Sequence, residues 1–376
     1  MNESLSLPMG KKNSIQIFDF LRRNGAWVGF FSIAILGAVL THGAFLSARN
    51  LTHLLRQASI NGILATGMTF VILSGGIDLS VGSVVALCGI IVGLSQTHWG
   101  LSSLGFSGAL ISLLLAIFSG AFFGLINGSF ISFLRIPPFV ITLGSMVIAR
   151  GVALILSDGS AISPMGDSVT AIAEIYLSFE LTLGLGAVLL FGLIFRNKRR
   201  ISDGLFPILA FSVFIAAFLV YKGFPVLVLF WVVVLCLADF LLMQTTFGRA
   251  VTATGSNEQA AFWAGISTRI VKVWVYGLMG ALSGLGSLLL SARLNSAAPT
   301  AGNLFELDAI AAAVIGGTSL KGGVGTVLGT LAGALTISAV NNGMDLLEVP
   351  SFYQMVLKGV IIIVAVALDR GQKEGV

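Results

Sequence analysis

The sequence from Phe224 to Met243 reads FPVLVLFWVVVLCLADFLLM, an apolar run of 20 residues whose only charged side chain is Asp239. A helix of about 20 residues is about 30 Å long, which matches the hydrocarbon core of a bilayer. A run of this length and polarity is typical of a transmembrane helix rather than of a buried helix in a soluble protein. The segment therefore predicts a protein that crosses a membrane.

Comparable runs fill most of the chain. Hydrophobic residues make up 56% of its 376 residues, and charged residues only 10%, against about 25% in soluble domains. This composition excludes an ordinary soluble enzyme and predicts an all-α polytopic membrane protein with about 10–12 transmembrane helices. We place spans near 26–46, 56–74, 80–96, 106–133, 138–157, 180–195, 204–221, 224–243, 270–291, 304–317, 324–341 and 352–368.

The lysines and arginines predict the orientation of these spans, because cytosolic connections of membrane proteins are enriched in them. With the N-terminus inside, most of the 21 basic residues fall in connections predicted to be cytosolic. The exceptions are Arg49, Arg56, Arg150, Lys222, Arg293 and Lys358. We therefore predict a cytosolic N-terminal segment (1–25), a transmembrane domain (26–368) and a cytosolic tail (369–376).

Several classes of catalytic site have no signature in this sequence. It contains no His-Glu-x-x-His metal motif, no Gly-x-Ser-x-Gly nucleophile elbow and no phosphate-binding Gly-x-x-x-x-Gly-Lys-Ser/Thr loop. The basic residues are scattered over the connections instead of forming a nucleic-acid-binding patch. We predict a non-catalytic chain without cofactor, metal site or nucleic-acid partner; if ATP drives it, another chain hydrolyses the ATP.

Glycine shapes the predicted helices and two of their connections. Gly120, Gly124 and Gly128 form a stripe without side chains, which serves either packing inside the chain or dimerisation. Two connections also resemble each other, because each breaks at a glycine pair before a polar stretch. Their candidate residues for a pathway or a gate are Gly75, Gly76 and Asp78 in the first, and Gly316, Gly317 and Thr318 in the second. The alternative is a pair of tight cytosolic turns.

Charged residues at membrane depth are candidate functional residues, because burying a charge in the bilayer has a high free-energy cost. The sequence offers Asp78, Arg150, Asp239, Glu306, Asp308 and Lys358. Most of them lie near predicted span ends, where a long side chain reaches the interface. For Arg150 and Lys358, pairing with carbonyls and a place in the pathway both stay open.

The longest cytosolic connection, 244–269, carries an organised signal. Ser256 followed by Gln259 fits a capping box, and Gly265 followed by Ile266 fits a glycine C-cap, which brackets a short helix. Its residues Asn257, Glu258, Gln259, Ala260 and Ala261 include small side chains beside the aromatic Phe262 and Trp263. Such a helix either docks in the groove of a partner or lies on lipid headgroups.

The stretch Glu258-Gln259-Ala260-Ala261 with Gly265 resembles the coupling motif of permease subunits of bacterial ABC importers, in which a short cytosolic helix sits in a cleft of the ATPase. Further stretches, such as 61–83, 135–144 and 292–319, resemble the ribose/xylose-type monosaccharide permeases. An extra helical pair at about 178–222 is most similar to the xylose branch.

The resemblance implies an ABC importer permease in the bacterial cytoplasmic membrane that moves a monosaccharide inward, with a pentose such as xylose first. It implies three protein partners besides the cargo and membrane lipid: an ABC ATPase subunit, a periplasmic sugar-binding protein at the outer loops 158–178 and 292–305, and a second permease copy that completes a homodimer. The alternative function is an ion-coupled secondary transporter of a small polar solute. That class needs no ATPase-docking helix and usually needs acidic residues in the membrane.

Overall fold

The structure is a computed structural model that describes residues 9–196 and 201–371. Within these ranges 15 α-helices follow one another and no β-strand is formed, which confirms the predicted all-α class. The helices are α1 (Met9–Leu40), α2 (Ala48–Leu73), α3 (Val81–Thr97), α4 (Gly105–Phe133), α5 (Pro138–Leu156), α6 (Asp167–Glu174), α7 (Phe179–Arg196), α8 (Ile201–Val220), α9 (Val226–Gln244), α10 (Thr246–Ser256), α11 (Glu258–Trp263), α12 (Thr268–Leu294), α13 (Phe305–Ile315), α14 (Val327–Leu346) and α15 (Ser351–Gly371).

Several of these helices have the length and apolarity that a membrane requires. In the described part of the chain, four helical stretches are long and apolar enough to cross one: Leu101–Phe133, α5, α9 and α12. Shorter apolar stretches are Asn24–Leu40, α3, Phe179–Gly192 and Leu205–Val220. In α5 only 17% of the apolar window is buried within the chain, so most of its surface is available to lipid or to another chain. The polytopic class is confirmed, whereas the count of twelve spans and the division at residues 25 and 368 stay predictions.

The predicted boundaries hold for most spans and fail at the first. Span 106–133 coincides with α4, and 224–243 with α9 apart from its first two residues. The first span was predicted at 26–46, but α1 runs from Met9 to Leu40 with a break in helical geometry at Asn24. The helix cannot continue to residue 46, because the backbone turns at Gly43, which has a left-handed φ of 88°.

The predicted span 304–317 agrees with the bounds of α13, but this helix is short for a complete crossing. Helix α13 has only 11 residues and is about 17 Å long, too short for a hydrocarbon core of about 30 Å. The non-helical segment 295–304 precedes it and runs along α3 in the opposite direction: Ala297 packs at Gly93, near the end of α3, and Gly302 packs at Gly82, near its start. We expect the segment and the half-helix to cross the membrane together, in which case the later connections keep the sides predicted for them.

Helix α2 is the centre of the molecule. Nearly all its residues are buried, and it packs against α12, α13, α14 and α9. Glycine stripes bring the other helices together: a side chain at Gly120 or Gly124 of α4 would collide with the backbone of α12 at Gly280 or Tyr276. This stripe therefore serves packing inside the chain, the first of the two alternatives left open by the sequence.

The extra pair predicted at about 178–222 is formed by α7 and α8. The two helices pack on each other, and α8 also packs on α1 and α2. Position 186 of α7 shows how closely they approach, because a Cβ atom there would lie 3.0 Å from Ile215 of α8. The basic connection between them, predicted to be cytosolic, includes residues 197–200, which lie outside the described residues, as do 1–8 and 372–376.

Candidate functional site

The predicted coupling segment contains two helices that meet at a sharp elbow. Helix α10 ends at Ser256 and α11 starts at Glu258, and Asn257 between them has an extended backbone (φ −160°, ψ 104°). The Asn257 Oδ1 atom accepts a hydrogen bond of 2.9 Å from the amide of Ala260, which is the N-cap interaction of α11. The prediction that Ser256 is the cap is wrong: its hydroxyl donates instead to the Thr252 carbonyl within α10.

The other end of α11 is built as predicted. Gly265 has a φ of 86°, and its amide donates to the Phe262 carbonyl while the Ile266 amide donates to the Ala261 carbonyl, both at 3.0 Å. These are the two hydrogen bonds of a Schellman motif, which requires a left-handed residue and so favours glycine. The predicted glycine C-cap is confirmed, and α11 is fixed at both ends although it has only six residues.

One face of α11 is open, and the other packs on the chain. Phe262 and Trp263 are 65% and 80% exposed, and Gln259 and Ala260 are exposed with them. Ala261 is only 5% exposed, so this residue faces the rest of the chain and is not available to a partner. The free surface of α11 is therefore aromatic and polar, and we refer to it as the aromatic face.

An ion pair ties α11 to the long helix α12. The Glu258 carboxylate accepts a hydrogen bond of 2.7 Å from the Lys272 ammonium group, with the two side chains 51% and 18% exposed. One turn further along α12, Tyr276 is buried, and its hydroxyl donates to the Ile77 carbonyl at 3.3 Å. A single helix thus contacts both the coupling segment and the first glycine-rich connection.

The elbow itself touches both glycine-rich connections. A side chain at Gly255 would collide with the Leu73 carbonyl at the end of α2 and would come 2.8 Å from the amide of Gly323. The Gly323 amide donates to the same Leu73 carbonyl at 3.0 Å. Gly322 and Gly323 have left-handed φ values of 86° and 74° and lie against the backbone of Gly255 and Ser256. The two connections that resemble each other in sequence therefore meet at the end of α10.

The first connection enters the interior after Gly75. Gly75 is exposed and has a left-handed φ of 82°, whereas Gly76 is buried against Tyr276, whose hydroxyl a Cβ atom would strike. Asp78 is 3% exposed, and its Oδ1 atom accepts hydrogen bonds from the amide and the hydroxyl of Ser80, at 2.8 and 2.6 Å. The carboxylate is thereby held at the start of α3.

Asp78 heads a buried chain of hydrogen bonds across three helices. The Asn127 side-chain amide of α4 donates to the Ser80 hydroxyl at 3.2 Å, and the Ser145 hydroxyl of α5 donates to the Oδ1 atom of Asn127. Such a network fixes the first connection against α4 and α5, because every member has a partner in the interior. The role of Gly75, Gly76 and Asp78 in a pathway or gate stays a prediction.

The second connection is packed differently. Gly316 lies against the backbone of Gly329 in α14, and Gly317 is exposed with a left-handed φ of 88°. Thr318 is fully buried, and its hydroxyl has no hydrogen-bond partner among the described residues. The close approach of α13 and α14 requires Gly316 and Gly329, since a side chain at either position would strike the other helix. The predicted place of Gly316, Gly317 and Thr318 in a pathway likewise stays a prediction.

Arg150 binds the backbone of the non-helical segment 295–304. Its guanidinium group lies on α5 and donates to the carbonyls of Pro299 and Ala301, the latter at 2.8 Å. Irregular backbone at membrane depth is tolerated only where its polar groups find partners. Of the two roles left open by the sequence, the structure therefore shows pairing with carbonyls.

At the opposite end of the molecule, cations and tyrosines form a cluster. The Arg56 guanidinium group donates to the Ala173 carbonyl at 2.7 Å and to the Tyr176 hydroxyl at 3.3 Å. The Lys222 ammonium group lies 5.8 Å from the ring centres of both Tyr176 and Tyr221, within the range of cation–π attraction. These contacts join α2, α8 and the connection that follows α6.

Six basic residues lie outside the connections predicted to be cytosolic. Four of these six come together in this cluster. Within electrostatic range of the His53 ring lie Arg49, Arg56, Lys222 and Arg293. We call these four the outer basic cluster. Sequence reasoning missed it because the four residues belong to three separate segments, and only the packing of α2, α8 and α12 brings them together.

Comparison with known proteins gives a consistent result. Residues 50–366 match the family described as "Branched-chain amino acid transport system / permease component". The chain is 38% identical to the xylose transport system permease protein of Haemophilus influenzae, over 97% of this chain and 98% of the relative. It is 37% identical to the Escherichia coli protein of the same name, over 97% and 99%, and 40% identical to the ribose import permease protein of Bacillus subtilis, over 96% of each. No solved structure matches the chain.

Proposed function

This chain belongs to the branched-chain amino acid transport system / permease component family, and on that basis we propose that it is the membrane subunit of an ATP-driven importer for a monosaccharide. It is a multi-pass protein of the bacterial inner membrane. Xylose and ribose, the sugars named for its relatives, are both pentoses, so a pentose is the proposed cargo, with xylose first because of the extra pair α7 and α8. ATP hydrolysis is assigned to a separate ATPase subunit.

The coupling role of α11 is carried by one observation: the exposed aromatic face adjoins an elbow that touches both glycine-rich connections. An ATPase that binds Phe262 and Trp263 would displace α11 as a unit, because Asn257 and Gly265 fix its two ends. The displacement would reach the end of α2 through Gly255 and reach α12 through the Glu258–Lys272 ion pair. Large exposed aromatic side chains are the usual centres of binding energy in protein interfaces.

The outer basic cluster is our proposed docking site for the periplasmic sugar-binding protein. Arg49 and Lys222 are exposed, and Arg56 binds the carbonyl of Ala173 in the connection that the sequence proposed as part of this docking site. Complementary charge mainly raises the rate and the specificity of association. We propose that an acidic surface of the sugar-binding protein docks here.

A second permease copy and membrane lipid complete the proposed partners. Helix α5 turns Val147, Ile148 and Ile155 outward, where they are 64%, 60% and 75% exposed, while Arg150 on the same helix points inward. Such a surface is suited to a bilayer or to the same helix of a second copy. We propose that two copies form the sugar path and that lipid covers the remaining apolar surface.

Reconstitution tests this function directly. The permease is placed in proteoliposomes with an ABC ATPase subunit and a sugar-binding protein from the same organism, and uptake of radiolabelled xylose and ribose is measured. We expect uptake of a pentose that requires ATP on the ATPase side and the binding protein on the other. Accumulation by the permease alone, driven by an ion gradient, would overturn the proposal in favour of a secondary transporter.

A further inference from the structure

A polar cluster at membrane depth joins the half-helix α13 to α14 and α15. Asp308 of α13 is 3% exposed, and its Oδ2 atom lies 2.9 Å from the Lys358 ammonium group of α15. The Asn341 side-chain amide of α14 donates to the same oxygen at 3.4 Å. Lys358 is the eighth residue of α15, about 10 Å along the helix, so both charges lie where an unpaired ion would be very costly.

One polar atom of this cluster has no protein partner. The Asn341 Oδ1 atom is buried and accepts no hydrogen bond from the described residues. Buried acceptors without a donor are rare, and each asks for a ligand, a water molecule or a functional reason. A small cavity is lined by Asn341, Asp308 and Lys358 together with the apolar residues Ile337 and Val340.

The chemistry of the cavity suits a hydroxyl group. The free amide oxygen accepts a hydrogen bond, the ammonium group donates one, and the carboxylate accepts, whereas a sugar hydroxyl does both. Ile337 and Val340 offer apolar surface for the C–H groups of a sugar ring. The Lys358 side chain retains 18% exposure, so the cluster is open on the side of α15.

We propose that Asp308, Asn341 and Lys358 form a hydroxyl-binding station for the monosaccharide on its way through the permease. The proposal rests on the function proposed above and adds a place and residues to it. In the conformation described, the cavity is small, so one hydroxyl group enters between α14 and α15 while the rest of the sugar lies outside it. The station binds the sugar weakly and transiently, because a tightly bound sugar would not be released to the cytosol.

A purely structural role makes a different prediction. If the ion pair only holds α15 on α13, the orphaned oxygen of Asn341 is a defect, and an apolar side chain of similar size relieves it. Asn341→Leu then removes the unpaired oxygen together with the long 3.4 Å hydrogen bond to Asp308, so thermal stability changes little and transport continues. If the oxygen binds the sugar, the same variant folds but transports poorly.

The test compares Asn341→Leu with a matched control, Ser338→Ala. Ser338 lies on the same helix and also carries a buried hydroxyl without a partner among the described residues, but it does not line the cavity. The assembled transporter in proteoliposomes is supplied with saturating xylose-loaded binding protein. We expect Asn341→Leu to lower the initial uptake rate about tenfold or more and Ser338→Ala to leave it unchanged. Uptake by Asn341→Leu at the wild-type rate would overturn the station.

A second measurement covers the case in which Asn341→Leu does not fold. Val340→Cys, with Cys88 and Cys236 replaced by alanine, is labelled by a thiol reagent in vesicles, with xylose or with the uncharged polyol sorbitol. We expect xylose to slow labelling and sorbitol to have less effect; equal labelling under all conditions means that the cavity holds only water and overturns the proposal. Failure of the wild-type transporter to take up either pentose would instead overturn the proposed function.

Discussion

The carbonyl of Leu73 accepts a hydrogen bond of 3.0 Å from the amide of Gly323, so the end of α2 and the connection after α13 are joined by their backbones. The same carbonyl lies directly against Gly255 at the end of α10. Three segments that are distant in sequence therefore share one contact, and α11, the proposed coupling helix, starts three residues beyond Gly255. A displacement of α11 would therefore be transmitted to both glycine-rich connections through these backbone contacts.

Gly255→Ala should uncouple transport from ATP hydrolysis. A Cβ atom there collides with the Leu73 carbonyl and approaches the Gly323 amide, so the elbow must shift, at a cost of about 1–3 kcal/mol. We expect sugar-stimulated ATP hydrolysis to fall in proteoliposomes. The control is Gly184→Ala in α7, which has open space around it. Equal coupling in the two variants would contradict the role of the elbow.

Asn257→Ala should weaken α11 where Ser256→Ala does not. The Asn257 side chain caps the helix, and loss of such a cap costs about 1 kcal/mol. Ser256 makes its hydrogen bond within α10, so its removal leaves α11 intact. We expect coupling, measured as sugar-stimulated ATP hydrolysis, to fall only in Asn257→Ala. The reverse order would restore the sequence-based assignment of Ser256 as the cap.

Glu258→Ala should lower the affinity of the permease for the ATPase more than Lys272→Met does. Both variants remove the same ion pair, which is worth only about 0–1 kcal/mol at this exposure. Any additional effect of Glu258→Ala therefore reports a contact between Glu258 and the ATPase. Affinity of the detergent-solubilised permease for the ATPase is the measurement. Identical losses in the two variants would limit Glu258 to holding α11 on α12.

Arg49→Glu together with Lys222→Glu should weaken docking of the sugar-binding protein. Both residues are exposed members of the outer basic cluster, and the reversal replaces attraction with repulsion. We expect slower association and a smaller dependence of the association rate on salt, because exposed charges are screened by it. Lys321→Glu at the opposite end of the molecule is the control. An unchanged association rate in the double variant would place the docking surface elsewhere.

Cysteine labelling of intact cells should show that 295–304 and α13 cross the membrane together. Lys222→Cys is expected to react with a membrane-impermeant reagent from outside, and Lys321→Cys only after the cells are opened. Both positions are exposed, so burial does not prevent the reagent from reaching the thiol. Labelling of position 321 from outside would mean that the segment turns back, and every later connection would change sides.

The sequence alone determined the all-α class and most helix boundaries, because apolar runs and their basic flanks act through the local solvent, lipid or water, without reference to other segments. It also identified the glycine that ends α11, since a left-handed residue is a local requirement. It misassigned the cap, because Ser256 and Asn257 are both good caps and the choice depends on where α10 ends.

Tertiary structure decided everything that depends on two segments meeting. The predicted range 304–317 nearly matches α13, but only the packing of 295–304 along α3 shows which segment accompanies this short helix. The burial of Ala261, the pairing of Asp308 with Lys358 and the gathering of the outer basic cluster have no local signal either. These relationships come from close helix approach, which glycines permit without specifying which helices will meet.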